Sequence, residues 1–120
     1  MSNRETGVLG EVLALRYLVG KGYEVLEKNY RTRRGEIDLI LRHEDVLVFV
    51  EVKARRGRGF GDPLEAITRG KQAQVRRMAE AYLAAQGPEF LEEFEEVRFD
   101  AVGVLVGGGL NELCHVEDAF

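Results

Sequence analysis

Carboxylates and a lysine placed inside apolar strands are the residues of this chain best suited to chemistry. "GEIDLI" (35–40) is followed by "VEVK" (50–53), so Glu36, Asp38, Glu51 and Lys53 interrupt two of its most apolar stretches. Side chains two apart in a strand share a face. Glu51 and Lys53 therefore project with Leu47 and Phe49, and Val46, Val48, Val50 and Val52 take the other side. In the preceding strand Ile37, Leu39 and Leu41 share one face, leaving Glu36, Asp38 and Ile40 on its opposite. A two-residue turn at Glu44 and Asp45 sets His43 across from Val46 and Asp38 across from Glu51, with opposed Cβ atoms about 5 Å apart. Two carboxylates that close repel each other in a half-buried sheet unless a cation lies between them. A divalent ion bridged by Asp38 and Glu51 removes the conflict, and hard oxygen ligands favour Mg2+ or Mn2+. Lys53, further along the same face, then reaches a water or phosphate oxygen at that ion. A three-residue turn would put the two carboxylates on opposite faces, so the pairing depends on register.

The elements that must position these groups follow from periodicity. Val8, Val12, Leu15, Leu18 and Val19 form the apolar stripe of a first helix over 7–20. Glu11 lies within that stripe. It either approaches the carboxylate cluster from the helix side or packs its stem while its head reaches solvent. A strand over Tyr23 to Arg31 follows the turn "GKG", and the strands "EIDLILR" and "VLVFVEVKAR" make the hairpin. Glu36, at the start of the hairpin, is expected to be solvated or to pair with a neighbouring arginine. "RGRGFG" (56–61) reads as a flexible loop. Asp62, Pro63 and Glu65 then carry the cap, first-turn and capping-box signals of a second helix running to about Gln86, with Val75, Met78, Ala79, Tyr82 and Leu83 facing inward. An acidic connector or short helix (87–96), a buried strand "VRFDAVGVLVGG" and a closing edge strand "LCHVEDAF" complete the order. The fold class is α/β, an αβββαβ core with a mixed central sheet flanked by helices, in one domain spanning 1–120.

Composition excludes several alternatives. With 120 residues, 45% hydrophobic and 32% charged, the chain suits a single domain that buries roughly 65% of its unfolded surface. One cysteine, Cys114, permits neither an internal disulfide nor a cysteine-based zinc site and fits a reducing cytoplasm. No apolar run approaches the roughly 20 residues that span a bilayer, and the N-terminus lacks the order of a signal peptide; no membrane association is expected. His43 falls in a turn, and Cys114 and His115 face opposite sides of a strand, so neither supplies a nucleophile pair. The net charge of -4 conceals an asymmetry: residues 28–77 hold 13 Lys and Arg against 7 Asp and Glu, the remainder 4 against 14. Such segregation either builds one positive face for a polyanion or simply solvates the surface.

The residues also carry a resemblance. Glu11 on a helix, then Asp38 and Glu51-Val52-Lys53 on a hairpin, resemble the active-site signature of the PD-(D/E)xK restriction-endonuclease-like nucleases and are similar to the small archaeal Holliday-junction resolvases. "GEIDLI", "VFVEVKAR", "ITRGKQ", "RFD" and "DAF" together resemble the YraN-like family of small bacterial proteins over nearly the whole chain. The resemblance implies a restriction-endonuclease-like fold, metal ligation by Asp38 and Glu51, and Lys53 orienting water or stabilising phosphate charge. It implies a helical glutamate, Glu11, added to the metal shell, and Gln72 as the helix glutamine that follows the catalytic lysine. The expected activity is metal-dependent hydrolysis of phosphodiester bonds in DNA, including branched or recombination-related DNA; the alternative is a noncatalytic nucleic-acid-binding or adaptor protein that retains the fold. Arg31, Arg33 and Arg34, then Arg55, Arg56 and Arg58, then Arg69, Lys71, Arg76 and Arg77 would grip phosphates without reading bases. A homodimer would present two sites for two-strand cleavage.

Overall fold

The apolar run from Val46 to Val52 needs cover on both faces, and it finds this at the centre of the sheet. A computed structural model describes residues 1–57, 62–107, 109 and 111–120; Arg58, Gly59 and Gly61 of the expected loop lie outside them. The elements are α1 (Asn3–Gly20), β1 (Glu24–Thr32), β2 (Gly35–His43), β3 (Val46–Arg56), a 3-10 turn (Pro63–Ala66), α2 (Arg69–Gln86), α3 (Pro88–Leu91), β4 (Glu96–Val106) and β5 (Glu112–Val116). The sheet order is β1-β2-β3-β4-β5. β3 and β4 are parallel and are connected through α2, while the other neighbours are antiparallel. This is the mixed α/β architecture expected, with the edge strand β5 present.

Strand alternation sorts the core into two layers. Val48, Val50, Val52, Leu39 and Leu41 pack with Ala14 and Leu18 of α1. Leu47, Phe49, Ile37 and Ile40 pack with Val75, Met78, Ala79 and Tyr82 of α2, so the inner face expected of that helix is the one buried. Burying a side chain such as Phe49 or Leu47 completely stabilises the fold by roughly 1.5–3 kcal/mol.

Three expectations are corrected. The buried row of α1 is Thr6, Gly10, Ala14 and Leu18, not the valine stripe; Val8, Val12 and Val19 remain 53%, 40% and 49% exposed. Packing distance decides this. A Cβ at Gly10 would overlap the Ala54 side chain, so only the small-residue row lets α1 approach β3 closely. Thr6 is satisfied there by donating its hydroxyl to the Ser2 carbonyl (3.0 Å). The second correction concerns α2, which begins at Arg69 with Thr68 as its cap, accepting from the Lys71 N–H (3.1 Å). Asp62 and Pro63 instead start the separate 3-10 turn, where Asp62 accepts from the Leu64 N–H (2.9 Å). The third is Ile37, which joins the α2 layer with Ile40 rather than the face of Leu39 and Leu41.

Candidate metal and phosphate site

The hairpin has the register that a two-residue turn dictates, with pairs running from His43↔Val46 to Leu39↔Val50. There the ladder stops, one rung before Asp38 and Glu51. Asp38 Oδ2 accepts a hydrogen bond from the Val52 N–H (2.8 Å), taking the role of a missing backbone carbonyl. The strands thus part where the carboxylates lie, and Asp38 is held by main chain. In β2 the in-and-out alternation changes phase between Ile37 and Leu39, which places Glu36 on the α1 side.

Asn29 accompanies that change in β1. It falls between the paired positions Lys28↔Leu39 and Tyr30↔Ile37, across from Asp38, and takes a left-handed backbone with φ 51°. Asparagine tolerates this region better than most residues because its short polar side chain bonds locally. With its amide nitrogen turned as its hydrogen bonding requires, Asn29 donates to Glu36 Oε1 (2.7 Å) and Glu11 Oε1 (2.8 Å). Carboxylate oxygens of Glu11, Glu36 and Asp38 lie within 4.8 Å of one another, a group able to hold a metal ion. Arg31 Nε approaches Glu36 Oε1 at 3.4 Å. Glu36 therefore has the arginine partner expected of it and also belongs to the acidic group, which the sequence pattern did not indicate.

Glu51 is 3% exposed, and its Oε2 has no hydrogen-bond partner among the described residues. Lys71 Nζ lies 3.6 Å from it and also donates to the Glu36 carbonyl (3.3 Å). Burial, then the adjoining Asp38 carboxyl, raises the Glu51 pKa far above the usual carboxylate range, with the charges of Lys71 and Lys53 opposing. Glu11 is raised to about 7 by burial first, then by the charges of Asp38 and Glu36, with Arg31 opposing. A metal-free site thus retains protons that a divalent cation would displace. The donor set, all carboxylate oxygen, suits Mg2+ or Mn2+.

The other sequence candidates divide. Lys53 is half-buried beside Glu51, and Lys71, one of the expected phosphate contacts, lies against Glu51 and the Glu36 carbonyl. Gln72 is not brought into the group: its amide donates to the Ile67 carbonyl (3.2 Å) and fixes the link from the 3-10 turn to α2. Gln74, which the sequence did not single out, ties α2 to the β1–β2 turn by donating to the Arg34 carbonyl (2.6 Å). Arg33, Arg34, Arg69 and Arg77 are exposed. Arg55 is half-buried and donates to the Ala54 carbonyl, and Arg56 bonds the Met1 carbonyl and Asn3 Oδ1, anchoring the N-terminus. Arg76 lies over the Phe99 ring, 4.6 Å from its centroid, which makes it cover for the α2 layer rather than part of the carboxylate group.

A second charged group contrasts with the first. Asp100, fully buried, accepts from Arg98 Nε (2.8 Å), Arg98 Nη2 (2.9 Å) and the Asp118 N–H (3.0 Å), and pairs with His115 Nε2 (2.8 Å). Arg98 also donates to the Tyr23 hydroxyl (2.7 Å), and the Tyr23 ring stacks on His43. In the sequence these residues stand out only as members of the "RFD" motif, with a histidine in the neighbouring strand.

Comparison with known proteins matches residues 10–104 to the uncharacterised protein family UPF0102. A UPF0102 protein of Syntrophomonas wolfei is 46% identical, with 98% of this chain and 99% of the relative covered. One from Rhodococcus jostii is 45% identical with 98% of both covered, and one from Dictyoglomus thermophilum is 39% identical with 88% of this chain and 86% of the relative covered.

Proposed function

The chain belongs to the uncharacterised protein family UPF0102, and from the site it carries we propose that it is a metal-dependent endonuclease that hydrolyses phosphodiester bonds in DNA, branched or recombination-related DNA included. The observation that carries this is the buried Glu51 Oε2, which has no hydrogen-bond partner among the described residues and lies beside Asp38 on the hairpin. A buried, unsatisfied carboxylate oxygen is costly, and a cation is the partner its surroundings suit. Asp38 would hold Mg2+ or Mn2+ together with Glu11 and Glu36, whose oxygens already lie within 4.8 Å of one another and of Asp38; Glu51 stands outside that group but adjoins Asp38, and would join from its other side. When bound, the ion supplies positive charge to the phosphoryl oxygens and lowers the pKa of a water.

The chain's own residues do the rest. Asp38 is fixed by the Val52 N–H, so its oxygens need no reorganisation. Lys53 holds the attacking water or a phosphate oxygen, and Lys71 balances the charge of Glu51 from the α2 side. The exposed Arg33, Arg34 and Arg69 grip flanking phosphates, and the first turns of α1 and α2 approach the same end of the sheet, where their dipoles favour anions. A homodimer in the cytoplasm would set two such sites on the two strands of a duplex.

The test is cleavage of matched single-stranded, duplex, flap and four-way-junction DNA with Mn2+ or Mg2+, beside Glu51→Ala and Lys53→Ala proteins. Metal-dependent cutting that falls by about 10²–10³ in each variant is expected. Equal DNA binding without cutting by the wild type would overturn the enzyme and leave a nucleic-acid-binding scaffold in its place.

A further inference from the structure

The valines that α1 leaves exposed are not scattered. Val8, Val12 and Leu15 wall one side of a groove of about 200 Å3 whose other lining residues are Glu11, Lys28, Asn29 and Leu39. Two of these, Glu11 and Asn29, also belong to the acidic group or bond directly to it. The groove is therefore continuous with the candidate site. Lys28 at its lip is exposed, and its ammonium has no hydrogen bond or ion pair among the described residues.

Resting on the function proposed above, we infer that this groove receives the base of one unpaired nucleotide next to the phosphate held at the carboxylates. Duplex DNA presents sugar and phosphate on its outside, and phosphate oxygens laid against valine and leucine would lose hydration without gaining a partner. The flat face of a base is the part of DNA that such a wall suits, and in a duplex that face is stacked out of reach. Exposing it costs least where the nucleotide is already unpaired, at a flap, a branch or a single-stranded end. The volume agrees: it lies below the roughly 300 Å3 at which pockets for drug-sized ligands begin, which suits one planar ring system. Lys28 supplies charge for the phosphate of that nucleotide, which must lie at the lip when its base is inside. The substrate class that follows is DNA with an unpaired nucleotide at the scissile position.

The experiment measures binding of a 5′-flap DNA and a length-matched duplex by fluorescence anisotropy, with Ca2+ in place of Mn2+ so that the DNA stays uncut. A 2-aminopurine placed at the first unpaired nucleotide reports its surroundings. Wild type, Val8→Ser/Val12→Ser and, as a control on an exposed valine elsewhere, Val97→Ser are compared. Wild type and Val97→Ser are expected to favour the flap by about tenfold and to shift the 2-aminopurine emission, and the double variant to lose most of that ratio and the shift. An unchanged ratio and emission in the double variant would overturn the inference. So would wild-type self-association in sedimentation velocity that the double variant abolishes while the ratio holds, since the valines would then cover a second copy of the chain. A wild type that binds neither DNA would remove the proposed function itself, an outcome distinct from binding both DNAs equally.

Discussion

Two acidic side chains buried on the same sheet meet opposite fates. Asp100 is fully buried and Glu51 is 3% exposed, so both lose nearly all contact with water. Burial raises the Asp100 pKa, but hydrogen bonds from His115, Arg98 and the Asp118 N–H outweigh it and hold the group below its ordinary range. At Glu51 burial and Asp38 act together and the pKa rises, with lysines close enough to moderate the shift but not to reverse it. Full satisfaction marks a charge that the fold uses to hold β4, β5 and the chain end together. Incomplete satisfaction leaves Glu51 a group whose ionised form the fold opposes and whose Oε2 has no hydrogen-bond partner among the described residues. Burial alone would have ranked the two sites together; the count of partners separates them.

Removing each acid in turn breaks the comparison most directly. Asp100→Ala removes the carboxylate that Arg98 and His115 share, leaving Arg98 with the Tyr23 hydroxyl and Glu117 at 3.7 Å, and should cost about 3 kcal/mol, a fall in melting temperature of about 12 °C for a chain of this size. Glu51→Gln, in protein freed of metal with EDTA, should raise the melting temperature, because it removes a carboxylate whose ionised form the fold opposes. Differential scanning calorimetry decides. A Glu51→Gln protein that melts as far below wild type as Asp100→Ala does would mean that Glu51 is a structural charge and no candidate ligand.

How far each group was legible in sequence follows from what fixed it. The register of the hairpin from His43↔Val46 to Leu39↔Val50 was readable because a two-residue turn at Glu44 and Asp45 fixes it, but the ladder ends one rung short of Asp38 and Glu51, which adjoin without pairing across the strands. The inner face of α2 was readable because Val75, Met78, Ala79 and Tyr82 keep helical spacing. The packing of α1 was not: counting apolar residues favours the valines, whereas contact distance favours Gly10 and Ala14, and distance between elements has no one-letter signature. Glu36 joined Glu11 because Asn29 turns left-handed and β2 changes phase, a break in strand periodicity that residue spacing does not show. Lys71 entered the site because, from the first turn of α2, its ammonium reaches both Glu51 and the Glu36 carbonyl, and Gln72 stayed out because its amide is taken up by the Ile67 carbonyl; neither long-range partner has a signal in the spacing.

Acidity sharpens the same contrast with a smaller effect. Between the ordinary glutamate pKa near 4.3 and the value of about 7 at Glu11, the folded metal-free chain keeps a proton that the unfolded chain has lost. Folding is therefore favoured at the acid end of that window, and this contribution is lost as pH rises through 7. Asp100 works in the other direction: its contribution is present above its ordinary pKa and disappears as pH falls through its depressed value. The melting temperature of metal-free protein should thus decline from pH 5 to pH 8, with Glu51, whose pKa is also raised, contributing beside Glu11, and Glu11→Gln should lessen the slope without removing it. Saturating Mn2+ should abolish it, since the ion favours the ionised carboxylates. A decline of the same slope in Glu11→Gln would assign it to other groups and remove Glu11 from the acidic site.

The smallest effect tests the hinge on which the acidic group turns. Asn29 contributes two separable things, a left-handed backbone at φ 51° and an amide that joins Glu11 to Glu36. Asn29→Gly removes both the amide and the Cβ and keeps the left-handed backbone at no strain, whereas Asn29→Ala removes the amide but keeps a Cβ in that region without the local bonding that offsets its strain, about 1 kcal/mol. The difference between the two variants in urea unfolding should therefore be about 1 kcal/mol in favour of glycine. The loss they share, read as weaker Mn2+ binding by calorimetric titration, should be severalfold, because without the amide the two glutamates repel each other out of position. Nothing comparable should follow at Asp100, whose partners do not pass through Asn29. Unchanged Mn2+ binding in both variants would mean that Glu11 and Glu36 stand outside the metal shell, which would then be reduced to Asp38 and Glu51.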